Sequence, residues 1–304
     1  MVLAFVLGFL AVRIKSDLSF PDQITSLLST YLLLAIGLKG GVRLKDVSLG
    51  DIALPAVATV AAGVATALVT YVVARRAIRL GGADAASLAA HFGSVSAVTF
   101  TAAETFARAS GGQTAEFLPL LVVLLEIPGI MVALMLWTRQ GEARVRGSII
   151  EVLTGKSIML LGGGLLIGAL ANSTATEAVK PLFVDMFPGV LTLFLLDLGT
   201  LAGTQVTQIR RAGIRLVAFG VLAPLVFGTL GVTLGVAVGM NAATAAVFGT
   251  MLASASYIAA PAAVRIGIPY ANPGLALGVA LGITFPFNIV MGIPLFAEVA
   301  KVLN

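Results

Sequence analysis

The chain has no cysteine, one histidine and one tryptophan in 304 residues. Without cysteine there is no disulfide, no iron–sulfur cluster and no thiolate metal site. A lone histidine, His91, excludes a multi-histidine metal centre. Charge is scarce too: Asp, Glu, Lys and Arg make up 11% of the residues, against about 25% in a soluble domain. That excludes a disordered chain and a nucleic-acid module together. What is present is apolar, 59% of the residues, with a mean hydropathy of +1.05. The chain reads as a polytopic helical membrane protein. Its formal charge of +5 sits between the apolar runs, where basic residues set orientation.

A helix needs about 20 apolar residues to cross the hydrocarbon layer. Spans are expected at about 1–12, 24–38, 50–74, 85–108, 117–138, 156–172, 188–207, 214–239, 241–264 and 273–298. The first, ending before Arg13, is short and lacks the basic leader and cleavage site of a signal peptide. A truncated start or a tilted partial span is expected there. With both termini outside, thirteen of the 19 basic residues face the cytoplasm, among them Arg75, Arg76, Arg79, Arg139, Arg144, Arg146, Lys156, Arg215 and Arg265. Lys39, Arg43 and Lys45 fall on the other side, against this bias.

The two halves echo each other at an offset of about 160–169 residues. Gly8-Phe9-Leu10-Ala11 recurs as Gly168-Ala169-Leu170-Ala171, Ile36-Gly37…Gly41 as Leu198-Gly199…Gly203, and Pro55 as Pro224. Repeats of five spans must insert with opposite orientation, the plan of secondary transporters whose sites lie where broken helices meet at midplane. The expected units are 1–138, a connection at 139–155, and 156–304.

Span four carries Gly93-Ser94-Val95-Ser96 and span nine Ser254-Ala255-Ser256-Tyr257, at corresponding repeat positions. A half-helix starting at such a cluster points free N–H groups and a positive dipole end at an anion. The hydroxyls of Ser94, Ser96, Ser254 and Ser256 could add donors, and freed carbonyls could hold Na⁺. Against this stands ordinary helix packing through small residues. Glu126 and Asp197 are carboxylates inside apolar spans, where charge is costly and a functional role is the default. For each the alternative is a paired structural acid. Glu104 is expected near the outer surface. His91 and Ser94 share a helix face, so a serine-hydrolase dyad is conceivable, but no nucleophile motif accompanies them. Bracing is the simpler role for His91.

Gly37-Leu38-Lys39-Gly40-Gly41, Phe92-Gly93-Ser94-Val95-Ser96 and Ser254-Ala255-Ser256…Pro261-Ala262-Ala263-Val264-Arg265-Ile266-Gly267-Ile268-Pro269-Tyr270-Ala271-Asn272-Pro273 resemble the sodium-dependent bicarbonate transporters of cyanobacteria. Glu126-Ile127-Pro128 is similar to that family's Asp-Ile-Pro. The likeness runs from near residue 5 to near 298. It implies an all-α fold of ten spans in a 5+5 inverted repeat, with a core and a gate domain, assembled as a homotrimer in the bacterial inner membrane. It further implies Na⁺-coupled HCO₃⁻ uptake, with no catalytic residue and no cofactor beyond the coupling ion. By motif match, Gly93, Ser94, Val95, Ser96, Ser254, Ala255 and Ser256 hold the substrate. Tyr257 stands where the family has a sodium-site Asp, which leaves Na⁺ to Thr99, Ser254, carbonyls and Glu126. The connection at about Arg139–Ser148 is short, which bears on regulation by a PII-type protein known in cyanobacterial members. Alternatives are a symporter of another small anion or organic acid, an anion channel, and an intramembrane hydrolase.

Overall fold

A computed structural model describes residues 2–45, 47–138, 150, 154–211 and 213–304. Every regular element among them is helical. In chain order these are α1 (Val2–Arg13), α2 (Asp22–Leu44), α3 (Leu49–Val73), α4 (Gly82–Phe92), α5 (Ala97–Ala109), α6 (Leu118–Thr138) and α7 (Lys156–Leu170). Then come α8 (Ser173–Lys180), α9 (Phe187–Arg211), α10 (Ile214–Ala237), α11 (Ala242–Ala253), α12 (Ala259–Gly267) and the composite α13 (Pro273–Leu303). Most of the expected connection at 139–155 lies outside the described residues.

Six of the described runs are long and apolar enough to cross a membrane: Asp22–Leu44, Leu49–Ile78, Leu118–Trp137, Ser173–Thr204, Ile214–Ala237 and Pro273–Leu303. The remaining expected spans are shorter for two reasons. Spans four and nine are each two half-helices. α1 and α7 have only 12 and 15 residues. The wide turns Ala280–Thr284 and Asn288–Gly292 in α13 each lie just before a proline, Pro286 and Pro294. A proline removes an N–H and crowds the preceding turn, which a widened turn accommodates.

Helices α1, α2, α7 and α9 form one packed group, in which α2 lies along α7 and α1 along α9. In the other group α3 and α4 pack on α6, and α10 and the end of α13 pack on α11. Glycines let the backbones touch. A Cβ on Gly41 would collide with the Leu165 carbonyl, one on Gly168 with that of Leu38, and one on Gly8 with that of Leu196. Small residues at helix contacts are the usual membrane solution, because lipid tails supply no hydrophobic drive between helices. From Ala85 to Phe92 and from Thr244 to Ala253 every residue is buried, so α4 and α11 run through the centre of their group.

The cations at Lys39, Arg43 and Lys45 are held by partners. Arg43 pairs with Glu104 at 2.8 Å and Glu116 at 3.1 Å, and Arg108 joins Glu104 at 3.1 Å. Lys39 lies over the Phe187 ring, 3.2 Å from its centroid, and Lys45 donates to the Ala171 carbonyl.

Candidate functional site

The helix breaks fall where the small-residue clusters stand. α4 ends at Phe92 and α5 starts at Ala97; α11 ends at Ala253 and α12 starts at Ala259. Gly93 is required by contact: a Cβ there would meet Ala67 Cβ at 2.5 Å and Gly129 Cα at 2.8 Å. The first break therefore lies backbone to backbone on α6, just after Glu126-Ile127-Pro128.

The two breaks clasp each other. Ser96 N–H donates to Ser254 Oγ at 2.9 Å, and Ser256 N–H donates to the His91 carbonyl at 2.8 Å. Each strand of the crossing thus satisfies a buried amide of the other, as backbone away from water must. Ser96 also accepts from Thr99 N–H (3.1 Å) and Thr99 Oγ1 (3.0 Å), which caps α5. Ser256 accepts from Ala260 N–H at 3.2 Å in the first turn of α12.

The four serine hydroxyls are not equivalent. Ser94 Oγ donates to the Glu126 carbonyl at 3.0 Å, and Ser254 Oγ donates to the Met251 carbonyl at 2.7 Å. Their protons are spent on the protein. Ser96 and Ser256 act as acceptors in the bonds above, so their O–H protons remain to be given elsewhere. All four serines are buried.

The expected Na⁺ residues divide in the same way. Thr99, Ser254 and Tyr257 come together at the crossing. Tyr257 turns its phenol toward Ser96 without hydrogen-bond geometry, and its ring stands edge-on to Phe285 at 5.5 Å. Glu126 reaches the crossing through its carbonyl. Its carboxylate lies toward Ser157 of α7, and neither Glu126 Oε2 nor Ser157 Oγ has a hydrogen-bond partner. No group of three or more His, Asp or Glu that could hold a metal occurs among the described residues. A monovalent ion at the crossing would rest on neutral oxygens.

Of the other candidates, Asp197 and Glu104 lie apart from the crossing, whereas His91 joins it through its backbone carbonyl alone. Asp197 accepts from Thr25 Oγ1 at 2.7 Å and Glu104 belongs to the ion cluster described above. His91 Nδ1 is bonded to the Ser87 carbonyl at 2.8 Å, while Ser94 gives its proton to Glu126, so the two make no dyad bond. Asn288 was missed from sequence. It is fully buried, and its Nδ2 donates at 2.8 Å to the Ala253 carbonyl at the second break, leaving Oδ1 unpartnered. The available signal was an amide within the apolar run Phe287-Asn288-Ile289.

The family profile described as the Na⁺-dependent bicarbonate transporter superfamily matches residues 1–301. The chain belongs to that superfamily. No functionally curated relative matches it. Membership agrees with the resemblance carried by the span-four and span-nine motifs, and with a multi-pass membrane protein of transporter type.

Proposed function

We propose that the protein takes up bicarbonate with Na⁺ by alternating access, as a non-enzymatic symporter of the bacterial inner membrane with both termini outside. The observation that carries this reading is the mutual clasp of two broken helices through Ser96–Ser254 and Ser256–His91. The anion lies against Gly93, Ser94, Val95, Ser96, Ser254, Ala255 and Ser256, with direct donation from Ser96 and Ser256 and from the first turn of α5. Na⁺ lies beside Thr99, Ser254 and Tyr257, with Glu126 contributing from α6.

A 5+5 inverted repeat (1–138 and 156–304) is supported by packing that maps onto itself under the repeat. It exchanges α1 with α7, α2 with α9, α3 with α10, α4 with α11 and α6 with α13. The contact of α1 with α9 then becomes that of α7 with α2, and α3 on α4 becomes α10 on α11. Gly8 against Leu196 has a counterpart in Gly168 against Leu38, one helical turn from the register of the Gly37–Gly199 match. The group of α1, α2, α7 and α9 is the gate, and the group holding the crossing is the core.

The test is uptake of labelled bicarbonate into proteoliposomes with and without an inward Na⁺ gradient. Uptake that requires the gradient supports the reading. Uptake that ignores Na⁺ but follows a proton gradient assigns Tyr257 to a change of coupling ion. Conductance that survives collapse of the gradient indicates a channel.

A further inference from the structure

The faces of the two half-helices that follow the breaks are buried differently. Ala97, Val98 and Thr101 of α5 close against Leu33, Ile36, Leu191 and Phe194 of the gate, leaving about 10 Å³ of apolar space. On the repeat-related face, Ala259, Ala262 and Ala263 of α12 border a cavity of about 190 Å³. Its opposite wall is the first turn of α7, Gly155, Lys156, Ser157 and Ile158, and it reaches Ile258 in the second break.

That wall is built for negative charge. A helix N-terminus presents N–H groups without intrahelical partners, and no side chain caps this one. Ser157 Oγ lines the cavity, buried and without hydrogen-bond geometry to any neighbour, the Glu126 carboxylate that lies toward it included. Lys156 gives its N–H groups to Ser26 O (2.9 Å), Ser26 Oγ (3.0 Å) and Ser29 Oγ (3.0 Å), all neutral. No described carboxylate lies within ion-pair distance of it. The ammonium is therefore fixed in place against neutral partners, and the one acid set against it on this wall is Glu126, whose carboxylate lies toward Ser157. A cavity with low-dielectric walls focuses the field of such an ammonium.

We propose that this cavity is a second anion station, on the cytoplasmic side of the crossing. Small oxyanions pause there against the α7 N-terminus under the charge of Lys156. The inference rests on the transport reading for its place in the path, but its electrostatics can be measured without transport. Ala262→Cys puts the only thiol of the chain on the cavity wall. In inside-out vesicles this thiol should react faster with an anionic methanethiosulfonate reagent than with a cationic one. Adding Lys156→Gln should lower that rate ratio roughly ten-fold, the scale of electrostatic steering in a cleft, and Lys156→Arg should keep it. Raising the salt in the Ala262→Cys protein alone should also lower the ratio, so the test does not depend on the folding of the Lys156→Gln variant. Bicarbonate should slow the labelling, and Lys156→Gln should raise the concentration that does so. A ratio indifferent to both salt and Lys156→Gln overturns the proposal, as does a thiol reached only from the outer face. Failure of the transport reading is distinct: wild-type vesicles would not take up bicarbonate, yet the reagent ratio would still respond to Lys156.

Discussion

A serine hydroxyl has one proton to give, and the acceptor it finds fixes its role. Ser94 and Ser254 give theirs to the Glu126 and Met251 carbonyls, while Ser96 and Ser256 keep theirs. Ser256→Ala should therefore leave the protein folded and weaken bicarbonate uptake directly. Losing a hydrogen bond to a charged group costs about 1.5–3 kcal/mol, or roughly ten- to a hundred-fold in affinity. Ser94→Ala should weaken uptake by loosening the first break from α6, with a lower unfolding temperature beside the raised half-saturation concentration. Uptake against concentration, measured with thermal unfolding in detergent, separates the two variants. The family resemblance implies an acid where Tyr257 stands, so on the proposed reading Tyr257→Asp should lower the Na⁺ concentration needed for half-maximal uptake. Glu126→Gln should change that concentration little, because the carboxylate points to Ser157 rather than to Thr99.

The elements differ in what holds them. α4 and α11 are buried along their central turns. The breaks that follow them are joined by one backbone–backbone bond, Ser256 N–H to the His91 carbonyl, and one bond from Ser96 N–H to the Ser254 hydroxyl. By contrast, α2 and α7 meet through glycine. Gly41→Ala places a methyl on the Leu165 carbonyl, with Ala169 N only 2.8 Å away. Backbone cannot move aside as a flexible side chain can, so this change should cost about 1–3 kcal/mol. Gly163 lies on the same α7 with nothing within 4 Å of an added Cβ. Gly163→Ala should be neutral or stabilise by up to about 1 kcal/mol, the helix-propensity difference. Thermal unfolding of the two variants, which differ by one methyl each, tests whether close backbone approach carries the α2–α7 contact.

For the whole molecule, orientation is the quantity the basic residues address. A Glu142→Cys variant, at a position outside the described residues, should be labelled by an impermeant thiol reagent from the cytoplasmic face alone. Labelling from outside intact cells would reverse the topology and overturn the cytoplasmic anion station with it. Composition and hydropathy by themselves determined an all-helical membrane chain, because solvent-scale burial leaves its mark in which residues are apolar. The glycine and serine clusters also marked where helices would break and touch, since small residues at fixed offsets have few other uses in lipid. Sequence could not decide which serine protons stay free, that Glu126 offers a carbonyl rather than its carboxylate to the crossing, or that Asn288 braces the second break. Nor could it place Lys156 and Ser157 on the wall of a cavity. Ser94–Glu126, Asn288–Ala253, Lys156–Ser26 and Ser96–Ser254 are contacts between residues 32, 35, 130 and 158 positions apart, set by how helices cross. One-dimensional spacing holds no record of that angle, so only the tertiary structure decides it.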